Sequence, residues 1–132
     1  MTVEETNIEL VRRGYQAFNT ADLETLTLLF APEATWSTPG ASSVAGTHVG
    51  RDAVFGQFGR YGAETQGSFK AALQQLFVGS DGRVVALHHN SGERGGRTLD
   101  TDCCIVFDLV DGRVVSGTES FSDLANWDAF WA

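Results

Sequence analysis

Cysteine is scarce in this chain. There are two among 132 residues, and they are adjacent, Cys103 and Cys104. Neighbours on a strand point to opposite faces, which disfavours a disulfide between them and makes a reducing, cytoplasmic setting the expectation. Cations are also few: nine Lys and Arg against 17 Asp and Glu leave a net charge of -8. Nucleic acid and anionic membrane surfaces both need basic patches, so neither is expected as a partner. No apolar run approaches a membrane span, and the opening MTVEETNIEL is acidic where a leader peptide would be basic and then apolar. A phosphate-binding glycine loop, a nucleophilic serine elbow and a dinucleotide fingerprint are absent. The three histidines have no tight ligand spacing. His48, His88 and Glu119 form a metal set only on paper, so no metal or cofactor is expected. What remains is an ordinary soluble composition, 42% apolar and 20% charged, at a length that suits a single domain over 1–132.

Thr2 and Glu5 have capping-box spacing and predict a helix to Asn19, with Ile8, Val11, Tyr15 and Phe18 on one face. Asp22 predicts the cap of a second helix carrying Leu23, Leu26, Leu29 and Phe30, which Pro32 ends. Ala34 to Thr38 reads as a short strand, and PGASSVAGTHVG after it as a mobile loop in which His48 could cover a pocket mouth. Val54, Phe55 and Phe58 mark a third helix over 51–61. The stretch SFKAALQQLFV has helical propensity, but its period fits helix and strand alike. In the strand reading Phe69, Ala71, Leu73 and Phe77 share a face. Three or four antiparallel strands follow, and Asp123 is placed to cap a last helix with Trp127, Phe130 and Trp131. The order describes an α+β fold with its helices on one face of a curved sheet.

Two hairpins carry the functional reading. Gly95-Gly96 suits a two-residue turn that pairs Arg94 with Arg97, and hence Asn90 with Thr101 and His88 with Cys103. Around Asp111-Gly112, a three-residue loop turns the apolar set Cys103, Ile105 and Phe107 to the same face as Glu119 and Phe121. A two-residue loop would set that face against serines and threonines. The preferred register puts His88, Cys103 and Glu119 in one inward row. A carboxyl on an apolar face has its pKa raised towards the range useful for proton transfer, so Glu119 is the candidate acid or base and His88 its candidate partner. Cys103 on the same apolar strand should be a buried thiol rather than a nucleophile. Tyr15 and Trp36 are candidate pocket-lining aromatics, and Asn90 and Thr101 candidate ligand-orienting polar groups.

The runs VRRGYQAFNTADLETLTLLFAPEATW, GRDAV and VFDLVDGRVVSGTESF resemble the SnoaL-like and ketosteroid isomerase-like branch of the nuclear transport factor two-like superfamily. The resemblance covers most of the chain. It implies a cone, a bent antiparallel sheet wrapped around three helices in a cystatin-like α+β barrel with a deep apolar pocket. It makes SFKAALQQLFV a strand, and implies a homodimer through the outer sheet face. It puts Trp36, Thr38, His88, Asn90, Cys103 and Glu119 towards the pocket. It does not carry over the isomerase machinery: the tyrosine position falls on Gly14, the base on Thr38 and the protonated aspartate on Ile105. The cyclase aspartate has its nearest match in Asp123, one position out of register.

Two functions are therefore expected. One is a cofactor-independent acid-base enzyme, an isomerase, cyclase, dehydratase or hydrolase, acting on a small apolar or polyketide-like ligand. The other is a non-catalytic binding or dimerisation module. An open cavity of about 300 Å³ with Glu119 at its floor would favour the enzyme. A narrow one filled by Phe55, Phe58, Trp36 and Phe107 would favour the module.

Overall fold

The Thr2 hydroxyl accepts a hydrogen bond from the Glu5 amide and opens helix α1, Val3–Asn19, in the computed structural model, which describes residues 1–132. Asp22 caps α2, Leu23–Leu29, through the Thr25 amide. Strand β1 (Phe30–Thr38) follows at once, so Pro32 lies inside the strand rather than in a break before it. The loop expected after Pro39 is partly ordered. Gly46–Val49 forms a short strand β2 that pairs antiparallel with β1, and Val44 is fully buried. Helix α3 runs Arg51–Ala63, two residues longer than the sequence predicts. Strands β3 (Lys70–Val78), β4 (Val84–Arg94), β5 (Arg97–Val110) and β6 (Arg113–Phe121) form a meander, closed by α4, Leu124–Phe130.

The six strands make one curled, unclosed sheet in the order β2-β1-β6-β5-β4-β3. Four pairings are antiparallel; the fifth, β1 with β6, is parallel. That pairing follows from the chain leaving β1 through α3 and returning by the long meander. Helix α1 packs across β3 and β4, α3 lies on β1, and α4 closes the end of β5.

Lys70–Val78 is a strand because β4 pairs with it along its length; tertiary pairing overrides the helical propensity of its Ala, Leu and Gln. A bulge between Leu73 and Gln75 changes its parity. Ala71 and Leu73 face the helices, but Phe77, expected on the same face, is turned outward and is 52% exposed.

The β4–β5 hairpin has the expected register. Arg94 pairs with Arg97 across Gly95 and Gly96, both at positive φ, and His88 pairs with Cys103. The β5–β6 hairpin reaches the expected facing by another route. Its turn has two residues, Asp111 and Gly112, both at positive φ. Leu109 then pairs with Val114, while Asp108 pairs with Ser116, so Val115 is an extra residue that restores the parity the short turn would reverse. Glu119 faces inward as expected but sits opposite Ile105, and Cys103 sits opposite Phe121. The straight row of His88, Cys103 and Glu119 is thereby corrected: the carboxyl is displaced one pair along the sheet.

Candidate functional site

A cavity of about 60 Å³ lies between the sheet and helices α1 to α3. Its walls are mostly aliphatic and aromatic, with Phe18, Phe30, Trp36, Phe58 and Phe107 prominent. Trp36 meets Phe58 edge to face at 5.0 Å and Phe107 at 5.8 Å. The six-membered ring of the indole sits against Gly117 of β6, where any Cβ would overlap it, so glycine is required for this packing.

Glu119 projects into this wall from β6 and is buried. Its Oε1 accepts three hydrogen bonds: from Trp36 Nε1 at 2.6 Å, Thr38 Oγ1 at 2.8 Å and Tyr61 Oη at 3.1 Å. Its Oε2 meets only the Cys103 thiol, 3.9 Å away. Burial raises the Glu119 pKa, against the lowering effect of the donors. Tyr61 is held in turn by Gln57, whose Nε2 donates to the phenol oxygen at 3.0 Å. Burial and the Glu119 charge push the Cys103 thiol up, as the sequence predicts for an inert thiol.

His88 is not the partner of Glu119. Its Nδ1 is 2.6 Å from Tyr15 Oη and its Nε2 is 2.9 Å from Asn90 Oδ1. The bulge after the β5–β6 turn moves the carboxyl along the sheet and leaves the imidazole opposite Tyr15 of α1. Burial lowers the His88 pKa to about 4, so the ring is neutral. A neutral ring has one N–H. With the phenol donating to Nδ1, Nε2–H donates to Asn90 Oδ1 and the chain is internally consistent. The cavity thus has two polar edges, the carboxyl group with its donors and the chain from Tyr15 to Asn90.

Among the other candidates, Thr38 reaches the site as a donor to Glu119. Phe58 lines the cavity, whereas Phe55 stacks behind it at 6.2 Å. Thr101 does not line it: its hydroxyl accepts from the Asp123 amide and contacts Ser122. Phe121 does not line it either and stacks on Trp127 at 4.0 Å. Asp123 caps α4 through the Asn126 amide, a structural task. His48 lies in β2, paired with Trp36, rather than in a mobile loop. Tyr61 and Phe18 were not singled out from the sequence as site residues. The spacing of Val54, Phe58 and Tyr61 on α3 was the signal for the first, since Tyr61 closes the helix that the sequence predicts over 51–61 on the same face as Val54 and Phe58.

A mixed helix-and-sheet cone with an acid buried on its inner wall defines a class of protein, and similarity to known proteins identifies the family. Residues 11–117 match the SnoaL-like domain family, and the chain belongs to it. The structure of Bal32a, from a soil-derived mobile gene cassette, is 55% identical, with a TM-score of 0.98 over 99% of this chain and 100% of that one. An uncharacterised protein of Mycobacterium tuberculosis, Rv0034, is 32% identical over 98% of both chains. TerC, co-crystallised with polyporic acid, shares the fold at 21% identity, with a TM-score of 0.81 over 96% of this chain and 99% of its own.

Proposed function

We propose that the protein binds a small, apolar, oxygen-bearing molecule in the cavity and that Glu119 transfers a proton to or from it without a cofactor. The carrying observation is the asymmetry of the carboxyl. Three donors converge on Oε1, so a proton held by the neutral acid resides on Oε2, the oxygen left to a thiol 3.9 Å away. A neutral acid in an apolar wall can protonate a carbonyl, epoxide or leaving hydroxyl, and its conjugate base can take a proton back. That serves isomerisation, cyclisation, dehydration or hydration. The ketosteroid isomerase mechanism is not proposed, because Gly14, Thr38 and Ile105 occupy its positions. Phe18 and Phe58, half-buried and edge to face at 5.3 Å, form the part of the wall that an entering ligand would displace.

One observation favours a second reading. A volume of about 60 Å³ is well below that of a preformed substrate pocket, which suits a non-catalytic module. The test is a screen of apolar ketones and epoxides for turnover, followed by Glu119→Gln. Loss of about 10²-fold or more in turnover supports the acid. Turnover unchanged in the variant refutes it, and binding without turnover in the wild type supports the module. We also propose a homodimer through the outer sheet face, where exposed Phe77 continues into half-buried Val85 and Val106. A monomeric mass by light scattering at micromolar concentration would rule that out.

A further inference from the structure

The amide of Asn90 is 1% exposed and lines the cavity, yet its Nδ2 has no hydrogen-bond partner. Buried amide donors in folded proteins are almost always paired, and leaving one bare costs free energy that binding can recover. The other end of the amide is already used. Oδ1 accepts from His88 Nε2 at 2.9 Å, and His88 is oriented by Tyr15 at 2.6 Å from its far nitrogen. Reversing the amide would turn the chain around and leave the phenol proton, Oδ1 and one amide hydrogen bare. The direction with fewer losses leaves only the two hydrogens of Asn90 Nδ2 uncommitted on this edge. At the second edge, the uncommitted position is Oε2 of Glu119. No lysine or arginine lines the cavity.

From these three features we propose that Asn90 Nδ2 is the specificity-determining donor for the ligand. The ligand class is a neutral apolar molecule with an acceptor oxygen, a carbonyl or cyclic ether, placed against Asn90. A carboxylate is rejected because its charge would be buried without a cation. The inference rests on the reading of the cavity as a ligand site and narrows what that site accepts. It does not depend on Glu119 being the acid.

Three probes of similar size separate the cases: cyclohexanone, methylenecyclohexane, in which a CH₂ replaces the carbonyl oxygen, and cyclohexanecarboxylate. Binding is read by NMR titration of the wild-type protein, following the Asn90 side-chain NH₂ and the methyls of Ile105 and Val114, which also line the cavity. We expect cyclohexanone to bind about ten-fold more tightly than the alkene, corresponding to one net hydrogen bond, and to move the Asn90 NH₂ protons downfield. The carboxylate should not bind. Asn90→Asp keeps an oxygen towards His88 and removes the amide donor, so the preference for the ketone should fall to about one-fold. Equal affinity for ketone and alkene, with the Asn90 NH₂ unmoved, would overturn the assignment of Asn90 and leave the proton-transfer reading of Glu119 standing. Failure of both neutral probes to shift any cavity resonance would overturn both. The wild-type NH₂ signal decides the matter even if the variant does not fold.

Discussion

The buried carboxyl of Glu119 sets a pH dependence of stability whose sign is opposite to that of most acidic side chains. Its pKa in the folded state is raised by burial. Below the unfolded-state pKa of about 4.3 the group is protonated in both states and costs nothing. As pH rises above that value, the unfolded chain ionises first and the folded state loses stability. The loss is about 1.4 kcal/mol per pH unit and stops at the folded pKa. His88 acts in the other direction over part of the same range. Its pKa falls from 6.5 to about 4, so acidification below 6.5 favours the unfolded state, by about 3 kcal/mol in all. The two slopes partly cancel in the wild-type profile, and the informative quantity is a difference. Glu119→Gln keeps a carbonyl oxygen to accept from Trp36, Thr38 and Tyr61, cannot ionise, and leaves His88 untouched. Urea unfolding followed by tryptophan fluorescence from pH 4 to 9 gives the stability of each protein. The variant should gain on the wild type by about 1.4 kcal/mol per unit from near pH 4.5 and then level off at the folded pKa. A difference that stays flat across the range would refute the claim that this acid is desolvated.

Tyr61→Phe should remove one donor from Oε1 and the acceptor of Gln57 Nε2, costing about 1–3 kcal/mol in the same unfolding assay. It should also move the levelling point of the Glu119 difference to higher pH. Adjacent histidines should titrate apart in imidazole NMR. His88 should stay neutral to about pH 4, while His89, between Asp100 and Asp102 on the outer face, should titrate above its ordinary 6.5. Asp102→Asn should bring His89 down through the lost hydrogen bond and lower His88 only by the smaller loss of a nearby charge; a response of equal size in both would show that they share one environment. Gly117→Ala should destabilise by about 1–3 kcal/mol, because the methyl group meets the Trp36 ring, and a neutral effect in thermal unfolding would mean the indole has room to move.

The inward face of β4 to β6 was legible because side chains alternate strictly and Gly-Gly and Asp-Gly are restrictive turn signals. His88 opposite Cys103 and Asn90 opposite Thr101 follow from one turn length. Two single-residue bulges were not legible. A bulge adds a residue without a composition of its own, and those near Val115 and Gln74 show only as pairings that change parity. The first left Glu119 on the right face at the wrong level; the second placed Phe77 inside. The donors to Glu119 were out of reach for a different reason. Trp36 and Thr38 stand on a strand that pairs in parallel with β6, and Tyr61 on a helix beyond it, so no hairpin count connects them to position 119. Even so, the strand reading of SFKAALQQLFV, which the family resemblance implied against local propensity, is what the sheet shows.

That parallel pairing has a kinetic side. The meander from β3 to β6 joins strands that are neighbours in the chain, whereas β1 must find β6 across some 80 residues of separation. Contacts that close long loops tend to come late, so we expect the meander to be present, with Glu119 still wet, when the first half of the molecule docks and dries it. The pH dependence carried by Glu119 should then lie in the unfolding rate, with refolding little affected between pH 5 and 8. Stopped-flow chevrons of the wild type and Glu119→Gln would show it; a refolding limb that slows with rising pH in the wild type alone would mean the carboxyl is already buried at the barrier. At high pH such a protein would refold as readily as before but come apart sooner, because its first half lets go faster once Glu119 is drawn to ionise.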